Sequence, residues 1–266
     1  MSGFALHTWT LDTTTLADVL RIARATGWDA VELRRIDFLR AIEAGGTEAG
    51  VLDLVRASGL PVACVGAQSG WMFADGDKRR ALVADVTDAC RRAKALGSAT
   101  AMSPADTGRG PVAQAAAAVR EAGDVARAHG VRLALEAGSQ SEQLNTLARV
   151  REVLAAAGHP SCGLLIDSYH LQRCGGSPRE LDDIAPAEVA YVQFSDVPSS
   201  VEPGKVLDRL PAGTGVVPFT EFFAAVAARG YHGYLSYEAP NQAAWARPAE
   251  DVSREALSAA RAQLPR

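Results

Sequence analysis

The 266-residue chain is 48% hydrophobic with a net charge of −4, so it can bury a sizeable core and presents no basic footprint for nucleic acid. No run approaches the ~18 apolar residues of a membrane span, and the opening MSGFALHTWTLD lacks the regions of a secretory signal. The expectation is a cytoplasmic protein with a small-molecule partner, no nucleic acid and no membrane.

In chain order, a strand at 4–9 (FALHTW) leads to a helix at 15–26, which closes on glycine in ARATGWDAVEL before a second strand at 30–33. A helix at 47–58 precedes the third strand, 61–66, and a helix at 77–96 precedes the fourth, 99–103. The unit repeats with a helix at 111–129 and a strand at 131–136, then a helix at 143–157 and a strand at 162–167. A short helix at 178–184 leads to the strand at 189–194, a helix at 218–229 to the strand at 233–238, and a helix at 249–263 ends the series. Short β-branched runs alternating with helical periodicity are the pattern of βα units around a parallel sheet. Eight such units, with no G-x-G-x-x-G after the first strand, predict a single (β/α)8 TIM barrel over 1–266 rather than an open doubly wound sheet. No Pro/Gly/Ser-rich linker divides it, and Cys64, Cys90, Cys162 and Cys174 lack C-x-x-C spacing and read as reduced, mostly buried thiols.

The long connections, 67–76, 103–110, 168–178 and 196–217, all follow strands. In a barrel such loops share the C-terminal face, where active sites of this architecture are built. Four late strands bring oxygen donors to that end: Glu136, Asp167 and Glu238 are terminal, and Gln193 stands one residue before its strand's end. Three carboxylates converging on one mouth repel each other unless a cation lies between them. Oxygen-only ligands favour a hard divalent ion, Mn2+ by first choice, with Mg2+ or another divalent as alternatives. Gln193 then gives its carbonyl oxygen to the metal and its N–H2 group to a carboxylate or substrate oxygen.

The segments ALE (134–136), IDSYH (166–170), YVQFSD (191–196), DRLPAGTG (208–215) and GYHGYLSYE (230–238), with WDAVELR (28–34) and the tail 238–257, resemble the xylose-isomerase-like TIM barrel superfamily of sugar phosphate isomerases and epimerases. The resemblance implies that Glu136, Asp167, Gln193 and Glu238 hold the metal. Many members carry histidine at the third position; those resembling hydroxypyruvate isomerases and 3-dehydroshikimate dehydratases carry glutamine. It further implies that Glu136 and Glu238 form the proton-transfer pair, that His170 is aimed at a substrate oxygen, and that Glu142 orients His170. Other candidates for the mouth are Glu32, His7, Trp9 and Arg209, the last as an anchor for a carboxylate or phosphate. Trp71, Phe73 and Trp245 are candidates to cover an apolar substrate or a neighbouring subunit in a homo-oligomer.

The expected activity is metal-dependent isomerisation or epimerisation of a small hydroxy-ketone or sugar-like polyol through an enediolate. The alternatives are a lyase that expels a β-leaving group from the same intermediate, and a non-catalytic small-molecule-binding barrel. An abasic-site endonuclease needs a histidine-rich three-metal cluster and a basic groove, which five histidines and an acidic balance do not provide.

Overall fold

The computed structural model describes residues 3–200 and 207–264. Eight parallel strands close in chain order into a single (β/α)8 barrel: β1 (Gly3–His7), β2 (Ala30–Leu33), β3 (Val62–Gly66), β4 (Thr100–Ser103), β5 (Arg132–Glu136), β6 (Cys162–Asp167), β7 (Val189–Phe194) and β8 (Tyr234–Tyr237). Around them lie α1 (Leu16–Thr26), α2 (Arg35–Glu43), α3 (Glu48–Ser58), α4 (Gly76–Ala95), α5 (Val112–His129), α6 (Leu147–Ala157), α7 (Ser168–Arg173), α8 (Phe219–Ala228), α9 (Gln242–Trp245) and α10 (Ala249–Ala262). β1 pairs with both β2 and β8, so no strand edge is left open. Glycine closes α1 and α5, Gly27 and Gly130 having φ of +90° and +69°, where a Cβ would be strained.

The differences from the sequence reading have local causes. β1 stops at His7 because its Nδ1 accepts the Trp9 N–H at 3.1 Å and turns the chain into a 3-10 segment, Thr8–Leu11. The loop expected at 168–178 begins as α7 because the Asp167 carboxylate caps it, accepting the Tyr169 N–H at 2.8 Å. The helix expected from 143 starts at Leu147 behind the Thr146 cap. The helix expected at 178–184 is a 3-10 turn, Pro178–Asp183. Part of the 196–217 connection, 201–206, lies outside the described residues. Its remainder is anchored by buried Asp196, whose carboxylate accepts the N–H groups of Val197, Gly213, Gly215 and Val217 at 2.7 to 2.9 Å.

Alternation along each strand sends one residue to the barrel interior and the next to the helices. Ala5, Ala30, Ala63 and Ala134 leave interior space that Tyr191, Met102 and Leu165 fill. On the outer face Phe194 meets Phe4, Phe219, Phe223 and Tyr237 at ring-centroid separations of 5.4 to 6.2 Å. This cluster holds β7, and thus Gln193, against α8. Phe194→Ala is expected to cost about 3–5 kcal/mol, read as a lowered urea midpoint with an unchanged slope.

Candidate active site and metal centre

The ladder sets Asp167 beside Gln193 and Gln193 beside Ser236, so β6, β7 and β8 present their ends at one level. Glu136, Asp167 and His170 each offer a ligand atom within 4.8 Å of the others'. His170 Nε2 stands 3.6 Å from Glu136 Oε1 and 3.8 Å from Asp167 Oδ2. Glu238 joins through Arg209, whose Nη1 donates to Asp167 Oδ2 at 2.8 Å and to Glu238 Oε2 at 3.0 Å. On the far side His7 Nε2 lies 3.6 Å from Glu238 Oε1 and 3.7 Å from Glu32 Oε1. All these side chains are buried, and Glu136, His170, Arg209, Glu238 and His7 line a cavity of about 370 Å³.

Burial sets the electrostatics. It pushes the Glu136 carboxyl well above the usual range, with Glu238 and Asp167 adding repulsion that Arg209 only partly offsets. It brings His170 down to about 4, assisted by Arg209, and holds His7 well below the ordinary histidine value, so both imidazoles are neutral near pH 7. Burial also opposes the charge of Arg209, but Glu238, Asp167 and Glu136 outweigh it and keep the guanidinium protonated.

The neighbours of His170 compete for its ring. Arg209 Nη2 donates to Nε2 at 3.0 Å, which places the ring proton on Nδ1, facing Ser139 Oγ at 2.9 Å. The Ser139 N–H, 3.0 Å from the same Nδ1, favours the opposite tautomer. In the first arrangement the Nε2 lone pair accepts from Arg209.

Of the buried polar atoms at this end, Glu136 Oε1 and Gln193 Oε1 have no hydrogen-bond partner among the described residues. A buried carboxylate or amide oxygen left unpaired is costly, and Glu136 belongs to the Glu136–Asp167–His170 group that could hold a cation. The residues therefore fit a metal. The histidine nitrogen widens the set from oxygen alone towards Zn2+ and Co2+.

Sequence reasoning misplaced several residues. Glu142 does not touch His170; it is exposed and pairs with Arg109 at 3.2 Å, and Ser139 meets the imidazole instead. An Ala-Gly-Ser run after a strand carries no signal that would have singled out Ser139. Glu32 does not line the mouth: it is 0% exposed beneath it, accepting from Gln193 Nε2 at 2.9 Å and Tyr191 Oη at 3.1 Å, with its carboxyl raised by burial to about 8. Arg34 and Arg35, which follow it closely in the chain, bind Asp12, Asp37 and Asp85 rather than Glu32. Arg209, a candidate for the mouth, does line the cavity, where it is buried, paired with Asp167 and Glu238, and stacked 4.3 Å from the Tyr169 ring centroid. Trp71 is fully buried with its N–H on Ser103 Oγ, and Trp245 donates to the Thr10 carbonyl, so neither is freely presented to a substrate or partner.

The model of the "xylose isomerase-like TIM barrel" family matches residues 20–263. The chain belongs to that family. Among curated relatives, the Pseudomonas putida 3-dehydroshikimate dehydratase is 30% identical over 52% of this chain, which spans only 22% of that protein. An inosose isomerase of Bacillus velezensis is 22% identical, covering 86% of this chain and 85% of its own. Of solved structures, the IolI protein with a bound zinc atom superposes with a TM-score of 0.88 at 17% identity, over 98% of this chain and 97% of the other. The E. coli 3-keto-D-glucoside 4-epimerase gives 0.76 at 18% identity, over 98% of this chain and 100% of the other. At these identities the structural likeness is one of fold. No helix among the described residues is long and apolar enough to cross a membrane.

Proposed function

We propose that this chain is a metal-dependent enzyme that removes a proton next to the carbonyl of a small sugar-like hydroxy-ketone and returns it elsewhere, an isomerase or epimerase. One observation carries the reading: buried Glu136, Asp167 and His170 bring ligand atoms within 4.8 Å of one another at a cavity that Glu136, His170 and Glu238 line, and the Glu136 Oε1 atom there has no hydrogen-bond partner. Glu136, Asp167, Gln193 and Glu238 hold the ion, with His170 as a further donor. A divalent ion held there, Mn2+ by preference, would supply the Lewis-acid polarisation that makes a C–H next to a carbonyl acidic. Glu136, which lines the cavity, takes the proton through the carboxylate oxygen not engaged by the ion. Glu238 delivers one on the opposite face, and Arg209 donates to an oxygen on which negative charge grows. The names of the relatives, an isomerase acting on an inosose and dehydratases acting on 3-dehydroshikimate, support a cyclic hydroxy-ketone.

A lyase outcome has its own support. Glu238 Oε2 is tied to Arg209 while Glu136 Oε1 is unbound, so the two carboxylates are unequal bases, and elimination needs only one. Incubation with inosose or 3-dehydroshikimate in D2O separates the outcomes: isomerisation incorporates deuterium into recovered ketone, elimination yields a conjugated ultraviolet-absorbing product. Chelation by EDTA is expected to abolish either activity and Mn2+ to restore it. Full activity without metal, or neither exchange nor elimination with metal, would reject the reading.

A further inference from the structure

The Gln193 side chain could present either the oxygen or the nitrogen of its amide. We propose that Glu32 is a positioning residue that fixes the Gln193 amide and makes it an oxygen ligand; the inference rests on the metal reading above. Glu32 is on β2 and Gln193 on β7, strands that are not neighbours in the closed sheet, so the two meet through the barrel interior. Gln193 Nε2 donates to Glu32 Oε1 at 2.9 Å, and Glu32 Oε2 bonds Tyr191 Oη at 3.1 Å. Glu32 and Gln193 are 0% exposed and Tyr191 is 2% exposed.

An amide donates only from nitrogen and accepts only at oxygen. Turning the Gln193 amide over would set its oxygen against Glu32 Oε1, acceptor against acceptor in a buried site, and leave its N–H2 group as the unpaired one. A proton on Glu32 does not undo this when it sits on Oε2, facing the Tyr191 hydroxyl and leaving Oε1 to accept. With Nε2 engaged, Oε1 is the atom left without a partner. Glu32 touches neither substrate nor metal in this scheme; it acts through Gln193, as a carboxylate behind a metal-bound side chain does.

Co2+ alone is the probe, its affinity measured by titration calorimetry at fixed pH and its coordination by the visible absorption band. Glu32→Gln is expected to weaken Co2+ binding by about 10–100-fold and alter the band, because the partner amide no longer dictates which way Gln193 turns. The exchanged pair, Glu32→Gln with Gln193→Glu, restores one carboxylate–amide hydrogen bond in reverse and a carboxylate oxygen for the ion. It is expected to recover most of the affinity, and because it keeps the side-chain composition it serves even where the single variant folds poorly. Wild-type affinity and spectrum in Glu32→Gln, or an exchanged pair no better than the single variant, would overturn the positioning role alone. Wild-type protein that binds no Co2+ would overturn the metal reading and this inference together.

Discussion

Glu136→Gln is expected to lose proton exchange or elimination by about 10²–10⁴-fold while gaining thermal stability as the metal-free protein. The two effects share a cause. Glu136 is pressed towards its neutral form by burial and by the charges of Glu238 and Asp167, so a permanently neutral amide of the same shape relieves repulsion that the carboxylate maintains. Residues tuned for chemistry commonly destabilise the fold that holds them. Glu238→Gln is the informative companion. Two-faced proton exchange loses comparable activity in both variants, whereas single-base elimination leaves Glu238→Gln the more active. Initial rates in D2O and melting curves recorded with EDTA check both halves, and a Glu136→Gln protein with wild-type turnover would remove Glu136 from the chemistry.

The sequence made the barrel legible because its signal is repeated: each β-branched run is set off from the next by a helix, and a strand such as Cys162–Asp167 or Val189–Phe194 falls where it was expected. Elements shorter than that repeat escaped. α7 exists because Asp167 caps it, and α2 opens with Asp37 Oδ2 accepting the Arg34 N–H at 2.7 Å; neither has the length to show a period. Strand-end position pointed to Glu136, Asp167, Gln193 and Glu238; the structure puts Glu136 and Glu238 on the cavity, Asp167 within reach of Glu136 and His170, and Gln193 beside Asp167 in the ladder. The same cue misread Glu32, because β2 turns it into the barrel beneath the mouth. Arg209 was ambiguous for a different reason. A loop arginine has no period, and only the tertiary fold, with Asp196 gathering the loop's N–H groups, shows that it is delivered to the carboxylates.

That delivery gives Arg209 the largest stability effect expected of any polar residue here. Its Nη1 bridges Asp167 and Glu238, its Nη2 faces His170, and its guanidinium lies over the Tyr169 ring. Removing one partner of a buried ion cluster leaves the other charges uncompensated, so Arg209→Met is expected to cost about 3–5 kcal/mol at neutral pH. The pH dependence follows from Glu136. Its folded-state carboxyl is already raised, with Arg209 the one influence among its main causes that lowers it. Without the guanidinium it rises further, so the folded protein binds its proton over a wider range than the unfolded chain does. A raised carboxyl contributes stability that is fully present below its unfolded value and lost as pH climbs through the folded one. The deficit of Arg209→Met should therefore be smallest near pH 5 and grow towards pH 8, read from denaturant midpoints with EDTA present. Added divalent cation should narrow the deficit at pH 8 by taking over the role of counter-charge, whereas a deficit independent of both pH and metal would mean that the guanidinium stabilises this site through its packing on Tyr169 rather than through its charge.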